Sequence, residues 1–266
     1  MTSSVETFEI SLEGAELYEA KFVPALFAQW APLLVEAAGV RSGQSVLDVA
    51  CGTGVAARAA ADRMGGGGKV VGLDLNESML TVARRLRSDI EWRRGDVAAL
   101  PFPDDSFDVV LCQSALMFFP DPAGALREMQ RVAASKGTVA VQVYGTLESQ
   151  PAYGPWVDQV ARHAGPEATD LLSTYFVHGD LDALAVLFEA AGLEISAIRT
   201  HLATARFDSI DQFVRTEVEA TPLRERISDE VYERILEDSR ELLNRYATSD
   251  GVEVPIEGHL VTARTC

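Results

Sequence analysis

The sequence predicts an α/β protein built on a doubly wound, mostly parallel sheet, and three observations carry that prediction. The first is Val46-Leu47-Asp48-Val49, a short apolar run that Cys51-Gly52-Thr53-Gly54 breaks and the alanine-rich stretch Val55 to Met64 follows. Strand, glycine turn and helix open a nucleotide-binding βαβ unit, because glycine lets the backbone turn tightly and a helix N-terminus presents free N–H groups. The second is the repeated alternation of strand-like runs with helical patterns about ten residues long, which implies right-handed crossovers between parallel strands. The third is Asp108 to Gln113, almost wholly apolar, as a strand covered by helices on both faces should be.

Each element follows from its residues. From Gly14 to Ala38, Leu17, Phe22, Leu26, Phe27, Trp30, Leu33, Leu34 and Ala37 recur at helical spacing. Pro24 is expected to open a helix and Pro32 to break or kink one, giving two or three short helices. Arg41 to Gln44 is a turn into the first strand, and Gly65 to Gly68 a reversal before a second strand, Lys69 to Leu75. Asn76 reads as an N-cap, with Met79, Leu80, Val82, Ala83 and Leu86 on the buried side of its helix. Ile90 to Arg93 is the third strand and Asp108 to Gln113 the fourth. Asp121-Pro122 opens a helix with an inner face of Ala125, Leu126, Met129, Val132 and Ala133, and Thr138 to Tyr144 is the fifth strand.

Beyond Tyr144 the pattern loosens. Gln150 to Tyr175 holds prolines, aromatics and two short helical stretches. Asp180 to Ala191 is an amphipathic helix stopped at Gly192, and Leu193 to Phe207 a long strand. Ser209-x-x-Gln212 is a capping box that opens a helical insert. Within that insert Ser228 to Tyr246 carries one stripe of Val231, Tyr232, Ile235, Leu236, Ser239, Leu242, Leu243 and Tyr246. Gly258 to Arg264 is the last strand, read as alternating. The chain divides into an N-terminal helical cap (1–40), a core (41–145), and a completing segment (146–266) with inserts at about 150–175 and 209–248.

Composition narrows the function. A 266-residue chain with 47% hydrophobic residues can bury a sizeable core. Its net charge of −17 repels polyanions, and its densest basic run, Arg84, Arg85 and Arg87, reads as a solvated helix face, so nucleic acid is not an expected partner. Cys51, Cys112 and Cys266 have no metal spacing and imply a reducing compartment. No run reaches the ~18 apolar residues of a membrane span, so a cytoplasmic protein with no membrane partner and no metal is expected, as a monomer or homodimer.

Gly52-x-Gly54-x-x-Ala57, with Asp74 twenty positions after Gly54, matches a dinucleotide fingerprint. Strand-end ligand binding would gather Asp48, Asp74, Asp96 and Gln113 around one crevice. Four stretches in order sharpen this: Val46 to Gly54, Gly72-Leu73-Asp74-Leu75-Asn76, Gly95-Asp96-Val97-Ala98-Ala99-Leu100-Pro101-Phe102 and Ser106-Phe107-Asp108-Val109-Val110. Together they resemble the class I S-adenosylmethionine-dependent methyltransferases of small molecules.

The resemblance implies a Rossmann-like sheet of seven strands, mostly parallel, with a C-terminal antiparallel hairpin and helical lid insertions. It implies S-adenosyl-L-methionine as cofactor and S-adenosyl-L-homocysteine as product. It assigns the ribose to Asp74, the adenine to Asp96 and the Val97 N–H, and the methionine end to Ala50, Gly52 and Gly54 with Asp48 shaping the loop. Leu75, Met79 and Gln113 complete the cofactor set, with Ser114 beside Gln113. Tyr18 and Phe22 fall where such proteins fold an N-terminal helix over the site, and Met117 and Phe118 border the acceptor side, suggesting a small, largely apolar acceptor. For a general base the candidates are His163, His178, His201 and His259, with Tyr153 and Tyr175 behind them; His178, just before a helix, is the choice. Ser135-Lys136-Gly137 replaces the family's usual Pro-Gly-Gly turn. Two rival readings stand: a protein that binds the cofactor without methylating, such as a cyclase, and an NAD-dependent oxidoreductase, which would leave Asp96 without a role.

Overall fold

The computed structural model describes residues 10–219 and 221–265. Ser11 caps α1 (Leu12–Leu17) by accepting the Gly14 N–H, and the chain continues into a wider π-type segment, Tyr18–Phe27, where the Ala28 N–H reaches back to the Val23 carbonyl. Pro24 therefore lies inside a helical segment and does not open one. α2 (Trp30–Ala37) contains Pro32 in its first turn, where the amide needs no intrahelical partner, so the helix is not broken there. The cap residues before Ile10 lie outside the described residues, as does Cys266; Cys51 and Cys112 are free and buried.

The core then alternates as its pattern requires: β1 (Ser45–Val49), α3 (Val55–Met64), β2 (Lys69–Asp74), α4 (Glu77–Leu86), β3 (Glu91–Arg94), β4 (Phe107–Gln113), α5 (Pro122–Val132) and β5 (Ala133–Tyr144). Asn76 caps α4 by accepting the Ser78 and Met79 N–H groups, and Asp121 caps α5 by accepting that of Gly124. β1 runs parallel to β2 from Ser45↔Lys69 to Val49↔Leu73, and parallel to β4 from Val46↔Val109 to Asp48↔Leu111. Ala133 is already strand, not the end of α5's inner face. Between its pairing with Phe107 and that of Thr138 with Val109 the register shifts, and Lys136 turns at a φ of 62°.

The remaining elements are α6 (Tyr153–Ala164), α7 (Glu167–Leu172), α8 (Leu181–Ala190), β6 (Glu194–Phe207), α9 (Ile210–Glu219), α10 (Leu223–Arg226), α11 (Asp229–Leu243), β7 (Ala247–Thr248) and β8 (Gly251–Arg264). The sheet order is β3-β2-β1-β4-β5-β8-β6, mostly parallel, with β7 paired antiparallel to β8 as the C-terminal hairpin. Among the described residues it has eight strands; the one beyond seven is the two-residue β7, too short to show a period. β8 starts seven residues earlier than the Gly258 expected, because Pro255 and Gly258 disguise a strand that alternates before Gly258 and is buried from there to Ala263. No helix among the described residues is long and apolar enough to cross a membrane.

Contacts group the chain into two units. The first holds residues 10–143, Leu181–Arg199 and 259–265 of the described chain. Its core joins Leu47, Val49, Val71 and Leu73 to Val110, Val139 and Val141 of the sheet and to Leu126, Met129, Leu184 and Phe188 of the helices. The second holds Tyr144–Asp180 and Thr200–Gly258. There Phe213 packs against Trp156 at 4.8 Å and Phe207 at 5.3 Å, and the Trp156 Nε1–H donates to Ser239 Oγ (3.0 Å), which donates to Gln159 Oε1 (3.1 Å). That chain of bonds explains a serine within the apolar stripe of α11.

Trp92 of β3 accounts for two glycines of the first unit. Its ring lies over Gly54 and Gly72, where a β-carbon on either would overlap it, and its Nε1–H donates to the Arg87 carbonyl at 2.8 Å. Gly72→Ala is expected to destabilise the protein by about 1–3 kcal/mol through overpacking, and by less than about 1 kcal/mol when introduced beside Trp92→Leu. Denaturant unfolding of the four proteins in that cycle measures both values.

Candidate functional site

The chain order of strands reverses between β1 and β4, and in open α/β sheets ligands bind outside the C-terminal strand ends at that point. The turn after β1 is built from strained backbone: Ala50, Gly52 and Gly54 all have positive φ, at 53°, 55° and 87°. Buried acceptors hold it. The Asp48 side chain, 1% exposed, accepts the Ala57 N–H at 2.8 Å and so pins the start of α3 to the end of β1. Asp74 at the end of β2 accepts the Gly52 N–H through Oδ2 (2.7 Å) and the Asn76 N–H through Oδ1 (2.8 Å). The Cys51 N–H donates to the Leu73 carbonyl at 3.0 Å.

Asp96 follows β3, exposed, and caps the short turn Val97–Ala99 by accepting the Ala98 N–H at 2.9 Å. Gln113 ends β4 and donates its Nε2–H to the Phe27 carbonyl at 3.0 Å. Next to it Ser114, at a φ of 51°, donates its hydroxyl to Gln142 Oε1 in a short bond.

The N-terminal segment crosses this group. The Tyr18 ring faces Gly52, 3.8 Å from where a β-carbon would stand, and stacks on Phe27 (5.4 Å) and Phe22 (6.0 Å). Glu19 pairs with Arg58 of α3 at 2.9 Å, and Arg58 also donates to the Thr53 carbonyl at 3.1 Å. Met79 is buried with Ala15 and Val82 against α1, whereas Leu75 is 47% exposed. Met117 and Phe118 lie in the single turn Leu116–Phe118 after β4, Phe118 exposed and Met117 half-buried.

The structure thus gathers Tyr18, Phe22, Asp48, Ala50, Gly52, Gly54, Asp74 and Gln113 around one turn, with Asp96 and Val97 at the adjoining strand end. The histidines are scattered. His163 pairs with Asp238 at 2.8 Å, His201 is exposed on β6, and His259 is buried in β8. His178 is half-buried in a turn of the second unit; the next residue, Gly179, lies against the backbone of Gly145 and Thr146, where a β-carbon would not fit.

Sequence reading missed Glu19, whose partner Arg58 lies 39 positions away. It also missed Glu217, although an acid on the same helical face as Phe213 is a legible signal. Glu19 leaves a polar atom to account for. Glu19 Oε2, Thr53 Oγ1 and Gln113 Oε1 are buried with no hydrogen-bond partner among the described residues. Orphaned buried acceptors are rare and call for a donor.

A glycine turn at the switch point of a doubly wound sheet, with a carboxylate at each of three successive strand ends, defines a cofactor-binding α/β protein of the nucleotide-binding type. The comparisons are more specific. A family model described as a methyltransferase domain matches residues 47–141. The chain is 42% identical over 128 residues to the demethylmenaquinone methyltransferase of Renibacterium salmoninarum, covering 48% of this chain and 51% of that protein. It thus spans about half the length of that relative. It is 32% identical over 181 residues to the ubiquinone/menaquinone biosynthesis C-methyltransferase UbiE of Enterobacter sp., covering 62% and 72%. Phosphoethanolamine N-methyltransferase 2 of Haemonchus contortus, solved with S-adenosyl-L-methionine, shares the fold at a TM-score of 0.61 and 18% identity over 99% of this chain and 60% of that one. The chain belongs to the class I S-adenosylmethionine-dependent methyltransferase family. The cofactor suits the donor set, since a cation rich in N–H and O–H donors complements Asp74, Asp96 and the orphaned acceptors of Glu19 and Gln113.

Burial raises the Asp48 carboxyl from 3.8 to about 7, against the opposing Ala57 N–H bond, and burial likewise raises Asp74. A carboxylate with a raised folded pKa destabilises the fold when ionised. Its effect is absent below about pH 4, grows between 4 and 7, and is constant above. Asp48→Asn keeps an acceptor for the Ala57 N–H without the charge. Relative to the wild type it should gain stability from pH 4 to pH 8, by on the order of 3–4 kcal/mol at most. Urea unfolding at the two pH values checks this; a difference independent of pH would mean Asp48 is charged throughout.

Proposed function

We propose that this chain transfers the methyl group of S-adenosylmethionine to a small, largely apolar acceptor, in the first instance a hydroxylated aromatic ring of the hydroquinone type. The observation that carries the reading is the Gly52–Asp74 arrangement, in which a glycine turn is locked by the carboxylate proposed to bind ribose. Asp74 accepts backbone N–H groups from Gly52, Asn76 and Leu75, and the acceptor capacity it has left would take a ribose hydroxyl. Asp96 and the Val97 N–H take the adenine edge. Ala50, Gly52 and Gly54 bring backbone close to the ligand, with Leu75, Met79 and Gln113 at its border. Tyr18 and Phe22 exclude water above Gly52, and Met117 and Phe118 offer apolar surface to the acceptor. The names of the two bacterial relatives, both quinone methyltransferases, support the acceptor class. The cofactor, when bound, supplies a methyl group already activated on a cationic sulfonium; the protein's part is to hold the acceptor in line and keep water out.

Calorimetry should find binding of S-adenosylmethionine and S-adenosylhomocysteine and none of NAD. Asp74→Ala should weaken both sulfur ligands at least about tenfold, since hydrogen bonds to a charged group are worth about 1.5–3 kcal/mol each. Binding of NAD alone would overturn the reading, and an Asp74→Ala affinity within twofold of wild type would confine Asp74 to the turn. Methyl transfer to a reduced 1,4-naphthoquinone, followed by mass spectrometry, tests the acceptor.

A further inference from the structure

The helix α9 of the second unit turns Phe213, Val214, Thr216, Glu217 and Val218 inward. A carboxylate on such a face is an exception. Glu217 is 7% exposed, and its Oε1 accepts the Tyr153 hydroxyl at 2.9 Å. Among the described residues no cation pairs with it and no second donor reaches it. Aromatic rings of the same unit gather around the pair. Tyr153 packs against Phe213 at 5.2 Å and Phe176 at 5.5 Å, and Tyr144 meets Phe176 at 6.1 Å and Tyr175 at 6.2 Å.

A purely structural role accounts poorly for this. A buried carboxylate without a cation is destabilising, and glutamine would satisfy the Tyr153 hydroxyl without charge. The penalty is visible in the groups themselves: burial raises Glu217 from 4.5 to about 7, and burial together with the Glu217 charge raises Tyr153 and Tyr175 above the ordinary 10. Perturbed groups clustered in this way mark functional sites more often than scaffolding. The carboxylate accepts one hydrogen bond, from Tyr153, and the rings around it, with those of Tyr144, Tyr153 and Phe176 buried, are apolar.

We propose that Glu217, positioned by Tyr153, binds a small hydroxylated aromatic molecule within the second unit by accepting a hydrogen bond from a hydroxyl on its ring, with the rings of Tyr144, Tyr175 and Phe176 as the apolar wall. Where the proton transfers, the ring O–H bond breaks, the proton joins Glu217 Oε2, and the ring oxygen keeps the electron pair. The inference takes its ligand class from the proposed methyltransferase reading and adds a group of the second unit that would recognise a molecule of that class. The titratable groups facing Glu217 are Tyr153 and Tyr175, with Tyr144 acting on Tyr153; Tyr153 and Tyr175, raised above 10, stay neutral near pH 7.

The test is equilibrium binding of 1-naphthol, naphthalene and 1-naphthylmethylammonium to the full chain in the presence of S-adenosylhomocysteine. Wild type should bind 1-naphthol at least about tenfold tighter than naphthalene, with the preference rising from pH 6 to pH 8 as Glu217 ionises. Glu217→Gln should abolish both the preference and its pH dependence, leave S-adenosylhomocysteine affinity unchanged, and raise the melting temperature at pH 8 by removing a buried charge. Tyr153→Phe keeps the ring but removes the donor that lowers the Glu217 pKa, so the pH transition should move upward; this holds if the glutamine variant fails to fold. Equal 1-naphthol affinity in wild type and folded Glu217→Gln overturns the proposal, as does tighter binding of the ammonium probe, which would make the cluster a cation cage. Failure of wild type to bind S-adenosylhomocysteine is a separate result, sinking the methyltransferase reading itself.

Discussion

The bond from the Gly52 N–H to the Asp74 carboxylate, 2.7 Å long, is the constraint on which the rest of the site depends. It ties the turn after β1 to the end of β2 across a segment whose three positive-φ residues would otherwise have no reason to hold one conformation. Asp48 does the same from beneath, through the Ala57 N–H. The two carboxylates thus use different faces of one turn. Asp48 is sealed in and holds the helix to the strand, while Asp74 accepts backbone N–H groups from the turn and from the residues that follow β2. A charge-assisted bond to a backbone N–H in a buried setting is also stronger than a neutral one, which suits a loop that must not reorganise when a ligand arrives.

The glycines of the turn serve distinct ends. Gly52 stands at a φ of 55°, and a β-carbon there would only touch the Tyr18 ring at 3.8 Å, so its missing side chain serves the backbone of the turn. Gly54 and Gly72 leave space for the Trp92 ring, so theirs close the core behind it. A single spacing of glycines therefore records two pressures, one toward backbone conformation and one toward packing, and only the partners on the far side distinguish them. Trp92 comes from β3, some forty positions after Gly54, which is why no local pattern announces it.

That difference explains what could be read from the sequence. The core strands and helices from Ser45 to Tyr144 were legible to within a few residues, because each carries its own period or its own cap, such as Asn76 and Asp121, except that β5 begins at Ala133 and not at Thr138. Legibility failed where a local rule met a tertiary override. Pro24 sits in a π-type segment whose i→i−5 bonding tolerates it, and Pro255 sits within β8. The strand-end acids were legible as a set because the fold fixes where strand ends lie. Glu19 was not, since its partner Arg58 lies far away in sequence; Glu217 shows as an acid on the helical face of Phe213, but its partner Tyr153 is equally distant.

The same contrast separates the two buried acids whose carboxyls rise to about 7, Asp48 and Glu217. Asp48 receives a backbone N–H that can never leave, in a turn whose geometry requires an acceptor, so its burial is accounted for by the fold alone. Glu217 receives one phenolic hydroxyl from Tyr153 on a helix face that apolar residues would fill as well or better. A desolvation cost without a matching structural return points outward, to a molecule that supplies the absent donor. In the first unit the buried acceptors of Glu19 and Gln113 call for a donor more directly, since no group of the described chain reaches them.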